Sequence, residues 1–287
     1  MGFFGLFQSK ASAPVPKSGD ATADRRFDPT RSRMFNLEET RRLDALFRVP
    51  HEERGDPWVE QFYDAAWYAS VTVANPAHLD GPDGFPYYRL NLPPENVAFD
   101  SQSLGNLARD CVERNAGVAF FASAGDADAQ PQFVLSMGLL DSLLRYDSAE
   151  GDPIDRVEAS HAHNPALFDV EEEGPRHQVL VAKSGHNILT GTPSTEFLPP
   201  YTARALHRYM TRIWEIEEPR VHLLVDANMR PSRNLVIGRT GSSFPSEQDI
   251  AGEMQRLFWF LPRNRAVILM PEDWTFEQMD RLSDLFE

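Results

Sequence analysis

PYTARALHRYMTRIWEIEEPRVHLLVDANMRPSRNLVIGR, residues 200–239, carries the two signals whose combination sets the fold class. Pro200 is pre-set for a helical first turn. Leu206, Tyr209, Met210 and Ile213 then fall on one face at helical spacing, which predicts a long amphipathic helix over Pro200 to Ile216. After Glu218-Pro219 the pattern shortens. Val221 to Val225 reads as a strand, and Asn234 to Arg239 as its hairpin partner. Further on, Ser246 with Asp249 heads a helix to about Phe260, Arg265 to Met270 reads as a strand, and Thr275 to Phe286 as a closing helix.

Working back towards the N-terminus, His177 to Ala182 is a strand. Residues 147–176 are acidic and turn-rich, with Gly151-Asp152-Pro153 and Glu171-Glu172-Glu173-Gly174-Pro175, and mark the best domain boundary. Before it, Asn36 caps a helix from Leu37 to about Phe47, and Pro50 stops it. Residues 57–70 form a helix with Val59, Phe62, Ala66 and Trp67 on one stripe. Val71 to Val73 and Tyr87 to Leu92 read as strands on either side of a turn over Asp80 to Gly84. Ser103 opens a helix to about Asn115, and Gly117 releases the strand Val118 to Ala122. A strand over Gln132 to Ser136 and a short helix over Leu139 to Arg145 follow.

Helices and strands mix without a regular βαβ rhythm, and no short internal repeat is visible, so the class is α+β. The organisation expected is a flexible basic arm (1–33), an N-terminal α+β domain (34–146), an acidic connector (147–176) and a C-terminal α+β domain (177–287), each domain a small mixed α/β sandwich. The arm rests on residues 8–33, a Ser-, Ala- and Pro-bearing stretch read as unable to repay the entropy of ordering.

The chain has 287 residues, 41% of them apolar and 11% aromatic, a globular profile. Its net charge of −15 argues against wholesale nucleic-acid binding, because such a body repels phosphate. That charge is uneven. Residues 1–50 hold 9 Lys/Arg against 6 Asp/Glu, and residues 51–287 hold 19 against 37. No apolar run approaches the length of a membrane span, which fits a cytoplasmic protein. Phe3, Phe4, Leu6 and Phe7 form a short apolar cluster near Lys10 and Lys17. It lacks a signal peptide's length and basic flank, and Leu6 stands where a myristoylation signal needs Ser or Thr. These four side chains are the candidate interaction element, for a partner groove or a weak membrane-surface contact.

Cys111 is the one cysteine, which removes intramolecular disulfides, CxxC redox pairs and thiolate metal cages. It lies in a helix-like run and reads as a small buried hydrophobe. His161-Ala162-His163 has the spacing of two metal ligands, and His177, His186 or Glu173 would have to complete the set. The segment is a polar, Pro-bounded loop, so no metal and no cofactor are expected. Ser184-Gly185-His186-Asn187 reads as a tight turn, and no Gly-x-Ser-x-Gly elbow is present. Gly238-Arg239-Thr240-Gly241-Ser242-Ser243 leads from strand towards helix but lacks a P-loop ending, and reads as a connector.

Gly191-Thr192-Pro193, a helix ending near Ile216, Glu218-Pro219-Arg220-Val221, Val225 and Leu235-Val236-Ile237-Gly238 together resemble the C-terminal domain of the bacterial enhanced-serine-sensitivity (SseB) family. Val97-Ala98-Phe99-Asp100-Ser101 with Leu104 is similar to a segment of that family's first domain, with Asp100 where threonine is usual. The similar stretches cover residues 60–145 and 177–287. The resemblance implies two small α+β domains and a non-enzymatic role through protein–protein contacts, adaptor or regulatory, and brings no catalytic residues with it. The rival expectation is a hydrolase or metal-dependent enzyme using His161, His163, His177 and His186.

Overall fold

The computed structural model describes residues 26–28, 31–94, 97–122, 130–161, 168–174, 177–182, 188–245, 249–275 and 279–287, with backbone alone over 168–182 and at Arg31. It is an α+β protein built on two mixed sheets. In the first half, helices α1 (Leu37–Phe47) and α2 (Asp56–Tyr68) precede the hairpin β1 (Thr72–Asp80) and β2 (Pro86–Asn91). Helix α3 (Leu104–Glu113) then crosses to β3 (Gly117–Phe121), which is followed by β4 (Phe133–Leu135) and α4 (Met137–Tyr146). The sheet order is β1-β2-β3-β4, antiparallel, parallel, antiparallel.

Side-chain caps explain where these helices begin. The side-chain oxygens of Asn36, Ser103 and Ser136 accept the N–H groups of Glu39, Asn106 and Leu139. Ser136 therefore starts α4 at Met137, two residues before the apolar periodicity suggested. Phe62 anchors the core of this half, fully buried against Trp58, Phe120 and Phe133, with ring centroids 5.4, 5.4 and 4.2 Å away. Burying each such ring contributes roughly 1.5–3 kcal/mol.

Helix α5 (Pro153–Ala159) and the hairpin β5 (Phe168–Gly174) and β6 (His177–Ala182) follow. The second half comprises β7 (Leu189–Gly191), α6 (Pro200–Ile213), β8 (Arg220–Val225), β9 (Arg233–Ile237), α7 (Ile250–Leu257), β10 (Ala266–Leu269) and β11 (Asp280–Arg281). β8 and β9 are the expected antiparallel hairpin, β10 joins β9 in parallel, and β7 and β11 both pair with β8. On α6, Leu206, Tyr209 and Met210 are buried as the stripe predicts, while Ile213 stays exposed.

Three expectations are corrected. The closing helix over Thr275 to Phe286 is instead β11 followed by a short 3-10 turn over Leu282–Leu285, because Asp280 and Arg281 pair with Val221 and Arg220. The arm stops earlier than residue 33. Phe27 is buried against Trp67, its N–H donates to Asp147, and Arg26 pairs with Glu60 and Asp64 at 2.7 Å each. One aromatic ring and two carboxylates are enough to fix a segment whose composition otherwise reads as linker. The acidic stretch 147–176 is more than a connector, since it contains α5 and β5. Asp152 caps α5 through the Ile154 N–H, with Pro153 in the first turn.

The acidic residues of α5 also have a structural use. Asp155 is fully buried between Arg233 Nη2, at 2.6 Å, and Arg265 Nε, at 2.9 Å, and Asp152 holds Arg233 Nη2 at 2.9 Å. The Arg265 guanidinium lies 3.9 Å above the Phe197 ring. These pairs bind α5 to β9 and to the start of β10. One continuous apolar core runs from Phe27 to Leu282. Where the halves meet, Trp259 stacks on Phe85 at 4.4 Å and donates through Nε1 to the Tyr87 hydroxyl at 2.7 Å. Gly138 donates its N–H to Trp259, and a Cβ there would lie 2.0 Å from the Leu261 carbonyl oxygen, so this contact admits no side chain.

Candidate functional site

Several residues singled out by sequence lie beyond description. Phe3, Phe4, Leu6, Phe7, His163, Ser184 and His186 fall outside the described residues, and His177 is described only as the first backbone position of β6. His161 is exposed just after α5. Among the described residues, no three His, Cys, Asp or Glu side chains stand where they would hold one metal ion. Cys111 is buried on the inner face of α3. Burial, with the Asp110 charge beside it, pushes its thiol up to about 12, which suppresses the nucleophilic thiolate. The Gly238–Ser243 connector uses its donors internally: the Ser242 N–H and hydroxyl both donate to the Glu272 carboxylate, at 2.9 and 2.7 Å, and hold it below its ordinary range.

Two features remain as candidates. The first is an apolar surface ahead of α1, where Met34, Phe35, Leu37 and Val97 are 73%, 61%, 45% and 57% exposed. The Phe35 and Phe99 rings lie 6.0 Å apart, which brings the two contributing segments together. Local chemistry explains the exposure. An apolar residue just before a helix cap usually packs on the fourth helical residue. Here that residue is Thr40, which is buried and turned inward. Its hydroxyl lies 2.8 and 3.0 Å from the carbonyl oxygens of Asn36 and Ser70, which share its one proton, and accepts the Ser70 N–H. Phe35 therefore has no apolar partner on α1 and lies outward.

The second is a cavity of about 270 Å³ beside β8, lined by Thr190, His222, Asp273, Trp274, Thr275 and Met279. His222 belongs to β8, and its Nδ1 faces Asp280 Oδ2 at 3.5 Å. The other Asp280 oxygen accepts the Thr192 hydroxyl at 3.0 Å. Reading the sequence alone missed this pair. His222 looks like one polar letter in the apolar strand Arg220–Val225, and Asp280 fell within a stretch read as helix. Only strand pairing brings them together.

A larger cavity of about 350 Å³ lies between α3, α4 and the start of α6. Two of its polar lining residues, Arg145 and Tyr201, converge on Asp141. Buried Asp141 is held by two bonds from Arg145, 2.8 and 2.7 Å, and receives the Tyr201 hydroxyl; burial and the Asp141 charge raise the Tyr201 phenol well above its ordinary value. Among the described residues, no helix is long and apolar enough to cross a membrane. Compared with models of known families, with curated proteins and with solved structures, the chain matches none.

Proposed function

We propose that this chain is a cytoplasmic, bacterial, SseB-like contact module that works by binding another protein rather than by catalysis. The observation that carries the reading is the exposed apolar cluster of Met34, Phe35, Leu37 and Val97, because such clusters on folded bodies mark contact surfaces. Charge defines the partner. With 19 Lys/Arg against 37 Asp/Glu over residues 51–287, the body attracts a basic protein carrying an apolar face. Phe3, Phe4, Leu6 and Phe7 supply a second apolar element for the same contact. The element order from Gly191 to Gly238 supports the SseB-like reading.

The test compares quantitative capture by the full chain and by Met34→Asp/Phe35→Asp, at low and high salt. Both substitutions are at exposed positions, so the melting temperature should hold, since surface changes of this kind stay within about 0.5 kcal/mol. A basic partner held by the unaltered chain should weaken about tenfold on the double variant and weaken further as salt rises. If everything captured by the unaltered chain is captured equally by the double variant, the reading is wrong.

A further inference from the structure

The outer edge of β8 is covered by two short strands placed end to end. β11 pairs Arg281 with Arg220 and Asp280 with Val221, and β7 pairs Gly191, Thr190 and Leu189 with Leu223, Leu224 and Val225. His222 is the single β8 residue between them, without a partner across that edge. It is 9% exposed, and its Nδ1 and Asp280 Oδ2 are both shut from solvent without a hydrogen bond, facing each other at 3.5 Å. These two enclosed atoms are under-satisfied; among the described residues, the Thr192 hydroxyl donates to the other Asp280 oxygen.

We infer that the cavity at this junction binds a small organic ammonium. The sign of the charge comes from the walls. Asp273 lines the cavity, Asp280 stands behind His222, and no Lys or Arg is among the described lining residues. Arg220 and Arg281, on the adjoining strands, are paired with Glu218 at 2.6 and 2.8 Å, and Arg220 Nη1 also donates to the Met279 carbonyl oxygen at 3.3 Å. An anionic ligand would meet like charge at Asp273, with Asp280 behind His222, and a cation would relieve it. The groups present also suit an ammonium in detail. With Nδ1 facing Asp280, Nε2 is the ring nitrogen of His222 left for a ligand. Trp274 supplies a ring for a cation–π contact, Thr190 and Thr275 supply hydroxyl acceptors, and Met279 supplies apolar contact for a hydrocarbon body. A volume of about 270 Å³ fits one ring or a short chain, just below the range of roughly 300–1,000 Å³ that holds drug-sized ligands.

The inference is independent of the contact surface on α1, and its test separates the two. Benzylammonium, benzyl alcohol and benzoate share a ring and differ in charge, and each is titrated into the full-length protein while the His222 imidazole is followed by NMR. Benzylammonium should shift the His222 resonances saturably and bind about tenfold more tightly than the alcohol, with benzoate weakest. Asp273→Asn, at an exposed position that supports no strand pair, should weaken benzylammonium about tenfold and leave the melting temperature unchanged, and Trp274→Leu should weaken it similarly. Met34→Asp/Phe35→Asp should leave this binding intact. Equal binding of the three probes, an unmoved His222 ring, or undiminished binding in both Asp273→Asn and Trp274→Leu would overturn the inference.

Discussion

The first sheet and the second run through the same order of elements: a helix, an antiparallel hairpin, a crossover helix, then a third strand parallel to the second. They close their edges differently. β3 has β4 on its far side and is buried along all five residues, whereas its counterpart β10 is an outer strand, partly exposed at all four. At the other edge, the first sheet ends in one strand of 9 residues, β1, while β8 is covered by β7 and β11. A shared order of elements thus sets the pairing of the three central strands, and segments outside that order decide how each open edge is managed. The ammonium cavity lies where the second sheet's edge cover is interrupted.

The substitution with the largest expected effect is Arg265→Ala, which removes the buried cation from Asp155 and should cost about 3–5 kcal/mol in denaturant unfolding. It also asks whether the halves unfold together. Cys111 reports on the first half, so its labelling should accelerate in step with the loss of the second. A loss below about 1 kcal/mol would show that Arg233 alone satisfies Asp155. Unchanged labelling with full destabilisation would split the continuous core into two independent units.

In the first half, Phe27→Ala should cost a comparable or slightly smaller amount, about 3–4 kcal/mol, by opening a cavity against Trp67. Deleting residues 1–25 should stay within about 0.5 kcal/mol of the full chain in the same assay. If that deletion destabilises strongly, residues before Arg26 help hold the first half. If Phe27→Ala is neutral, the corrected boundary of the arm is wrong.

Smaller effects than those of Arg265→Ala and Phe27→Ala are expected at two glycines. Gly138→Ala drives a Cβ into the Leu261 carbonyl where the halves meet and should cost about 1–3 kcal/mol by thermal melting. Gly191→Ala, on the cover strand β7 with nothing within 4 Å of the new Cβ, should change stability by less than about 0.5 kcal/mol. Equal losses at both positions would mean that the contact between the halves is looser than its geometry.

Much of the local structure was readable because its causes are local. Asn36 sits at the first turn of α1, Ser103 opens α3, and the β8–β9 hairpin follows from two apolar runs. One such signal is masked by its surroundings. Asp152-Pro153 has the chemistry of a helix start, set in a turn-rich acidic stretch that has the composition of a boundary. The closing segment failed for another reason: over two residues, β pairing with β8 overrode helical periodicity.

Composition and periodicity by themselves determined the α+β class, the capped starts of α1 and α3, the burial of Cys111 and the acidity of the body. Each depends on side-chain type and on spacing within one or two turns or along one strand. Only the tertiary structure decided that Phe27 belongs to the core, that Asp152 and Asp155 are buried counter-ions of Arg233 and Arg265, and that His222 faces Asp280. Residues 27 and 67, 155 and 265, and 222 and 280 lie far apart in the chain. Their meeting depends on how the helices and strands pack and pair, which no local pattern encodes.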